Sequence, residues 1–168
     1  MMGAELWDVL DSERRYQGRV AERGRMSNKG DYHLIVQAWV RNGRGEVITS
    51  RRSPEKKALP LKWECTQGSA IAGESSLDAA LREVKEELGI ELDPENGRII
   101  KTFRSDIRRY FCDVWLFSKD VETENLTLQE GETCDAKWVH PSELLKMRDS
   151  GEFVPIMDYL DWLVSEIL

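Results

Sequence analysis

Three glutamates, Glu83, Glu86 and Glu87, crowd together in the stretch GSAIAGESSLDAALREVKEELGI of residues 68–90. Side chains three or four residues apart on an α-helix are neighbours, and like charges there destabilise the helix by roughly 0.3 kcal/mol per pair. A hard divalent cation would relieve this repulsion, because Mg²⁺ prefers a few carboxylates together with water and phosphate oxygens. The spacing therefore indicates a metal site, and a solvated acidic face on a surface helix is the alternative.

The helix that carries these acids is predicted over residues 75–88. Its apolar stripe, at about 100° per residue, consists of Leu77, Leu81, Val84 and Leu88. Ser75 or Ser76 can cap its N-terminus, and Gly89 supplies the left-handed conformation that ends it. Arg82 lies among the acids, where its guanidinium can hold carboxylates in place. This arrangement argues against a merely solvated face.

The fixed residues of this stretch follow the pattern G-x5-E-x7-R-E-φ-x-E-E-x-G-φ, in which φ is apolar. They are Gly68, Glu74, Arg82, Glu83, Val84, Glu86, Glu87, Gly89 and Ile90. The pattern resembles the signature of the Nudix hydrolases, the Nudix box. The resemblance implies a Nudix α/β/α sandwich, an α/β fold with a mixed sheet between helices. We assign residues 31–168 to this domain, with the box at 68–90, and residues 1–30 to an N-terminal β-hairpin extension.

The resemblance also implies a metal-dependent hydrolase that cleaves a diphosphate bond. Such a bond is attacked slowly in water because its anionic oxygens repel the nucleophile, and a bound metal neutralises them and lowers the pKa of a bound water. By the resemblance, Mg²⁺ or Mn²⁺ is held by the carboxylates of Glu83, Glu86 and Glu87 and by the backbone carbonyl of Gly68. The expected catalytic residues are Arg82, Glu83 and Glu87.

The remaining box residues have supporting roles by the same resemblance. Arg82 is expected to orient a helix carboxylate, and Glu74 is expected to reach back from the loop to support that pairing. Some family members take the general base from the helix and others from a later loop. Glu130 and Glu132 are the loop candidates here, and a solvated acidic turn is the alternative for both.

A basic cluster follows the second strand of the expected domain. Arg51, Arg52 and Lys57 lie at or near the loop of residues 53–60 and are candidates for substrate phosphate binding, with a solvated loop as the alternative. The expected partner is a small phosphorylated metabolite. The formal net charge of −7 disfavours a nucleic acid polymer or an anionic membrane as a partner.

Part of the chain is similar to the subgroup related to isopentenyl-diphosphate isomerase. The similarity lies in WDVLD at residues 7–11 and in residues 31–54, where His33 matches an isomerase metal ligand. The isomerases place their cysteine directly before the first box glycine, a position that holds Gln67 here, and Cys65 comes two residues too early. Residues 107–112 contain none of the glutamates that the isomerases carry on a later strand. Isomerase-like catalysis is therefore an alternative function, and non-catalytic sensing of a nucleotide or diphosphate is another.

Patterning predicts the other elements. Strands are expected over residues 5–11, 19–22, 32–41, 46–52, 98–103, 109–117 and 136–139, helices from residue 141 and over 155–167, and a loop over 121–135. The continuous apolar character of residues 32–41 predicts a central strand covered on both faces.

The whole chain bounds the remaining expectations. Its 168 residues suggest one domain, and no apolar run reaches the length of about 20 residues that a membrane span needs. Cys65, Cys112 and Cys134 lack metal-ligand spacing, so we expect free thiols in a reducing cytoplasm. The N-terminal hairpin and the C-terminal helix can each pack on the domain or on a second subunit, and a homodimer is one expectation.

Overall fold

The computed structural model describes residues 5–26, 28–155 and 157–167. Within them lie nine strands and three helices. The strands are β1 (Leu6–Leu10), β2 (Tyr16–Glu22), β3 (His33–Arg41), β4 (Val47–Arg52), β5 (Trp63–Glu64), β6 (Thr66–Ser69), β7 (Gly97–Ser105), β8 (Tyr110–Ser118) and β9 (Thr133–Val139). The helices are α1 (Ser76–Leu88), α2 (Pro141–Asp149) and α3 (Leu160–Ile167).

The apolar strand β3 lies at the centre of a seven-stranded mixed sheet, as its composition predicts. It pairs in parallel with β8, which pairs antiparallel with the edge strand β7. On its other side β3 pairs antiparallel with β6, the strand that contains the first box glycine. A tight hairpin joins β3 to β4, and β4 pairs antiparallel with β5 and β9.

Helices cover both faces of this sheet. On one face Val36 and Ala38 of β3 pack with Val84 and Leu88 of α1. On the other face the core contains residues of the sheet, of α2 and of α3; among them are Trp39, Val114, Leu144, Leu160 and Leu163. The expected α/β/α sandwich is thereby confirmed.

The expected N-terminal hairpin is present as β1 and β2. It is attached to the domain by a pair of backbone hydrogen bonds between Leu10 and Tyr32, both 2.8 Å. The Arg14 guanidinium donates to both carboxylate oxygens of Asp113, which is fully buried in β8. The division of the chain at residue 31 stays a prediction.

Several boundaries differ from the sequence expectations. The strand β9 begins at Thr133, inside the segment predicted as a loop, because pairing with β4 satisfies the backbone of its polar first residues. The last helix begins at Leu160 and not at residue 155, and Ile156, which lies within the predicted helix, is outside the described residues. No helix in the described ranges is long and apolar enough to cross a membrane.

Candidate metal and active site

Local sequence fixes both ends of α1. Ser75 is the N-cap: its hydroxyl accepts a hydrogen bond from the Asp78 N–H at 3.1 Å, and the Asp78 carboxylate accepts one from the Ser75 N–H at 3.2 Å. Gly89 adopts a left-handed φ of 70°, and its N–H closes the last turn on the Lys85 carbonyl. The helix packs its buried residues on the sheet, and Arg82 and Glu83 lie against β6.

Arg82 lies among the glutamates of the acidic cluster and donates hydrogen bonds to three of them. Its guanidinium donates to Glu74 through two hydrogen bonds, Nε to Oε1 at 2.7 Å and Nη2 to Oε2 at 3.0 Å. Nη1 donates to Glu83 Oε1 at 2.7 Å and to Glu86 Oε2 at 3.1 Å, and Nη2 also reaches the Ser69 carbonyl at 3.0 Å. The structure therefore brings four of the box residues into direct contact.

The three helix glutamates have different environments. The side chain of Glu83 is 14% exposed, that of Glu86 is 46% exposed, and Glu87 is buried with its Oε2 atom lacking any hydrogen-bond partner. Burial raises the pKa of Glu87 well above its usual range, and the nearby charges of Glu64 and Glu83 raise it further. Burial also raises the pKa of Glu83, although Arg82 opposes that shift.

Gly68 lies directly against the Glu83 carboxyl group. A Cβ atom at residue 68 would stand 2.0 Å from Cδ of Glu83, so only glycine leaves room for that carboxylate on the backbone of β6. The pairing of Gly68 with Val36 places this position beside the central strand. Gly68 and Glu83 are thus held together as the box predicts, and their roles as metal ligands stay predictions.

Glu64 is a buried carboxylate that the sequence reasoning missed. It accepts from Arg52 Nη1 at 2.8 and 3.0 Å and from Gln67 Nε2 at 2.9 Å. Burial raises its pKa, and the Arg52 charge opposes that shift. Its position depends on the pairing of the two-residue strand β5 with β4, for which apolar patterning gives no signal.

The donor set fits a hard divalent cation. Among the described residues no group of three Asp, Glu, His or Cys side chains is already arranged to hold an ion, and Arg82 engages Glu83 and Glu86. The buried Glu87 oxygen without a hydrogen-bond partner is nevertheless able to coordinate a cation, and the charges of Glu64 and Glu83 lie near it. Oxygen donors at a site of excess negative charge suit Mg²⁺ or Mn²⁺.

The candidate phosphate-binding residues face different surroundings. The side chain of Arg52 is 12% exposed, and its guanidinium also donates to the carbonyls of Ala58 and Leu59. Arg51 donates to the Leu61 carbonyl at 3.1 Å. Lys57 is exposed on the same loop. Arg52 therefore holds the loop in place, and substrate binding by these three residues stays a prediction.

The two candidate loop bases also differ. The loop that contains them is attached to the end of α1, where the Gln129 N–H donates to the Glu87 carbonyl at 3.2 Å. Glu130 is exposed, whereas Glu132 forms an ion pair with Lys56. The charge of Glu132 contributes to the raised pKa of Glu87. Either residue as the base stays a prediction.

His33 stacks on Trp7 of the hairpin, with ring centroids 3.9 Å apart and planes within 7°. The ring is buried, its Nδ1 atom has no hydrogen-bond partner, and burial lowers the pKa of His33 to about 4. This environment favours a packing role for His33 over the metal-ligand role that its match to the isomerases implies, because its ring packs between the hairpin and the sheet.

The buried imidazole makes a prediction about acid stability. Its pKa is lowered from 6.5 to about 4, so the unfolded chain takes up the proton first and stability falls as the pH drops through that window. Between pH 7 and 4.5, wild type should lose about 2 kcal/mol of unfolding free energy that His33→Phe, which keeps a stacking ring, does not lose. Urea unfolding at both pH values measures this, and equal losses in the two proteins would contradict it.

The residues at the isomerase positions have other partners. The Gln67 amide lies between Glu64 and Gln37, with the Gln37 Nε2 donating to it at 3.3 Å. Cys65 is fully buried against Met157, and burial raises the pKa of its thiol well above the usual range. The thiol therefore lies in the core on the sheet face that α2 and α3 cover.

Comparisons with known proteins agree with this geometry. The family model of the NUDIX domain matches residues 31–159. An uncharacterised Nudix hydrolase of Listeria monocytogenes is 38% identical over 152 residues, covering 90% of this chain and 89% of that protein. An isopentenyl-diphosphate Δ-isomerase of Shigella flexneri is 28% identical over 142 residues, covering 80% of this chain and 74% of the isomerase.

Two solved structures share the fold. A crystal structure from Deinococcus radiodurans covers 97% of this chain and 99% of its own, with a TM-score of 0.75 and 23% identity. The NUDIX domain of NrtR from Shewanella oneidensis, solved with ADP ribose, covers 68% of this chain and 77% of its own, with a TM-score of 0.56 and 15% identity. Because the family match contains the whole box and the Listeria relative aligns over nearly its full length, the chain belongs to the Nudix hydrolase family.

Proposed function

We propose that this protein is a metal-dependent hydrolase that cleaves the diphosphate bond of a nucleoside diphosphate linked to another group, or of a similar small metabolite. The observation that carries the proposal is the acidic cluster around Arg82, in which the buried Glu87 carboxylate has an oxygen without a partner. A purely binding protein has no need of this set, because a small anion is bound more simply by cations than by carboxylates.

Each residue of the acidic cluster has a proposed role. Glu83, Glu86, Glu87 and the Gly68 carbonyl would hold Mg²⁺ or Mn²⁺. When bound, the ion neutralises diphosphate oxygens and lowers the pKa of coordinated water. Arg82 keeps the Glu83 carboxylate over Gly68 and is itself fixed by Glu74, an orienting role for which its planar fork is suited.

We also propose that a loop glutamate is the general base. The influence of Glu132 on the pKa of Glu87 supports Glu132 over the exposed Glu130 as a base that takes a proton from water. Lys56, its ion-pair partner, would have to release it for that role. A helix glutamate is the alternative base.

The substrate is proposed to be a small phosphorylated metabolite. The NrtR domain was solved with ADP ribose, which supports a nucleoside diphosphate sugar as the first candidate. Arg51 and Lys57, at or near the loop of residues 53–60, are the proposed phosphate contacts, since Arg52 is already held by Glu64. The three cysteines are free, which supports a cytoplasmic location. Homodimer formation stays a prediction.

A hydrolysis panel tests the function directly. Nucleoside diphosphate sugars, dinucleoside polyphosphates, nucleotides, coenzyme A and prenyl diphosphates are incubated with Mg²⁺, Mn²⁺ or a chelator, and products are read by phosphorus NMR. We expect cleavage of at least one diphosphate with metal and loss of turnover with the chelator, because the carboxylates alone repel the substrate.

Other outcomes would favour the alternative functions. Conversion of isopentenyl to dimethylallyl diphosphate without phosphate release, seen by proton NMR, would indicate an isomerase. Tight binding of a ligand in calorimetry without turnover of any compound would indicate a sensor. Turnover that continues undiminished in the chelator would contradict the metal-dependent mechanism.

A further inference from the structure

The N-terminal hairpin contacts the loop that leads into α1. The Asp8 carboxylate, in β1, accepts a hydrogen bond from the Gly73 N–H at 2.9 Å. The residue before Gly73 is also held by β1, because the Ala72 N–H donates to the Leu6 carbonyl at 2.8 Å. Gly73 has a φ of +86°, a conformation that L side chains rarely adopt, so this turn is formed by a residue with little stiffness of its own. These two hydrogen bonds from the hairpin hold the backbone of the turn in place.

The supported turn positions Glu74. The Ile71 N–H donates to Glu74 Oε2 at 3.0 Å, and the Glu74 N–H donates back to the Ile71 carbonyl at 3.0 Å. The same Glu74 carboxylate accepts both hydrogen bonds from Arg82. A continuous series of short contacts therefore runs from Asp8 through the turn and Glu74 to Arg82, and from Arg82 to Glu83.

The hairpin is firmly attached on its other side. Besides the backbone pair between Leu10 and Tyr32, the buried Asp113 accepts from Arg14 and from Thr102 Oγ1. The stack of Trp7 on His33 adds a third attachment. A strand fixed at three places can hold the turn against motion. The NUDIX match begins at residue 31, so Asp8 lies before the matched segment.

We propose that Asp8 is a positioning residue of the metal site, which holds the Gly73 turn and thereby fixes Glu74, Arg82 and Glu83. The inference rests on the proposed function, in which Glu83 is a metal ligand. Asp8 touches neither metal nor substrate in this role. Outer partners of metal ligands commonly change metal affinity or activity by about 10- to 100-fold, and Asp8, which reaches Glu83 only through the Gly73 turn, Glu74 and Arg82, belongs at the lower end, about tenfold.

The test compares four variants of the full chain. Asp8→Ala and Asp8→Leu remove the acceptor, the first by truncation and the second with a larger apolar side chain that leaves no cavity. Asp8→Asn loses the charge but keeps an oxygen that accepts from Gly73. The control, Glu22→Ala, removes an equal charge from β2, where the Glu22 carboxylate forms an ion pair with the exposed Arg25. Manganese binding is measured by EPR of free Mn²⁺, amide exchange of residues 70–75 by mass spectrometry, and kcat and KM on the panel substrate.

The proposal predicts a specific combination of results. Asp8→Ala and Asp8→Leu should bind Mn²⁺ about tenfold more weakly, exchange the amides of 70–75 faster and lose kcat with little change in KM. Asp8→Asn and Glu22→Ala should resemble wild type in all three measurements.

Two results separate this proposal from the proposed function. If wild type cleaves no panel compound but the Mn²⁺ and exchange changes occur, the positioning role holds and the hydrolase assignment fails. If Asp8→Ala and Asp8→Leu exchange faster while Mn²⁺ affinity and kcat stay at wild-type values, the hairpin merely covers the loop and the proposal is overturned. Weak binding in Asp8→Asn equal to that of Asp8→Ala would also overturn it, because the hydrogen bond would then not be the cause.

Discussion

Replacement of Glu87 by glutamine is expected to lower kcat by about a thousandfold without unfolding the protein. The amide has nearly the same shape as the carboxylate, but it brings no negative charge to a buried position beside Glu64 and Glu83. Charge stabilisation by a bound metal contributes several kcal/mol to such a reaction, and each 1.36 kcal/mol is about a factor of ten in rate. Turnover of the panel substrate with Mg²⁺ or Mn²⁺ measures the loss.

Unlike kcat, the unfolding free energy of the metal-free Glu87→Gln variant should not fall. The raised pKa of Glu87 means that the metal-free folded protein holds a proton more tightly than the unfolded chain does. Its contribution is therefore most favourable below the unfolded pKa and is lost as the pH rises through the folded one. Glutamine removes that loss, so metal-free Glu87→Gln at pH 8 should unfold in urea at a concentration no lower than wild type. Reduced activity with undiminished stability distinguishes a functional carboxylate from a structural one.

Glu95→Gln is the matched control, because Glu95 is an exposed glutamate in the short turn after α1. It should keep wild-type turnover. Wild-type kcat in Glu87→Gln would show that Glu87 is not part of the active site, and the assignment of the helix acids would have to be abandoned.

The local features of the site follow from short-range sequence rules. The capping residue and the glycine that ends α1 depend on contacts within about one helical turn, and the structure has both. Of the predicted apolar stripe, Val84 and Leu88 are buried, whereas Leu77 and Leu81 are only partly buried. The position of Arg82 between Glu83 and Glu86 is equally local. The central place of β3 follows from its apolar composition alone.

The unequal burial of the three glutamates could not be predicted in the same way. Glu86 and Glu87 point about 100° apart on the helix, and which of them is buried depends on how α1 packs on the sheet: Glu86 is half exposed and Glu87 is buried. Glu64 approaches the cluster through strand pairing between residues distant in sequence. Long-range register is a property of the assembled sheet, and periodicity within one strand does not contain it.

The hairpin shows the same limit. Its strands were predictable, although β2 begins three residues earlier than expected, at Tyr16. Its attachment was not, because the Arg14 contact with Asp113 spans 99 residues of sequence. Arg52 is a further example of this limit. It has the charge expected of a phosphate ligand, but the fold pairs it with Glu64, an acid whose burial the sequence does not reveal.

Replacement of Gly68 by alanine is expected to separate metal binding from stability. The new Cβ would lie 2.0 Å from Glu83 Cδ, so one of the two must move. The Glu83 carboxyl group is the end of a flexible side chain and moves at little cost, and Gly68 lies in a strand with an ordinary backbone conformation. We therefore expect unfolding free energy to fall by less than about 1 kcal/mol.

The displaced carboxylate is a proposed metal ligand, so function should suffer much more. Misplacement of a reacting or binding group by about 1 Å can cost about a hundredfold in rate. Gly68→Ala should lose activity by about that factor and should bind Mn²⁺ more weakly, as measured by turnover and by EPR.

Gly97→Ala provides the contrasting control. A Cβ at residue 97 would lie 2.2 Å from Cε1 of Phe117, a fully buried ring in the core that cannot swing away. Overpacking of this kind costs about 1–3 kcal/mol of stability, and the ring is no part of the acidic cluster. Gly97→Ala should therefore lose stability and keep its Mn²⁺ affinity, the reverse of Gly68→Ala. Equal stability losses in the two variants, with Mn²⁺ affinity unchanged in both, would mean that residue 68 serves only strand packing and that Glu83 is not a ligand.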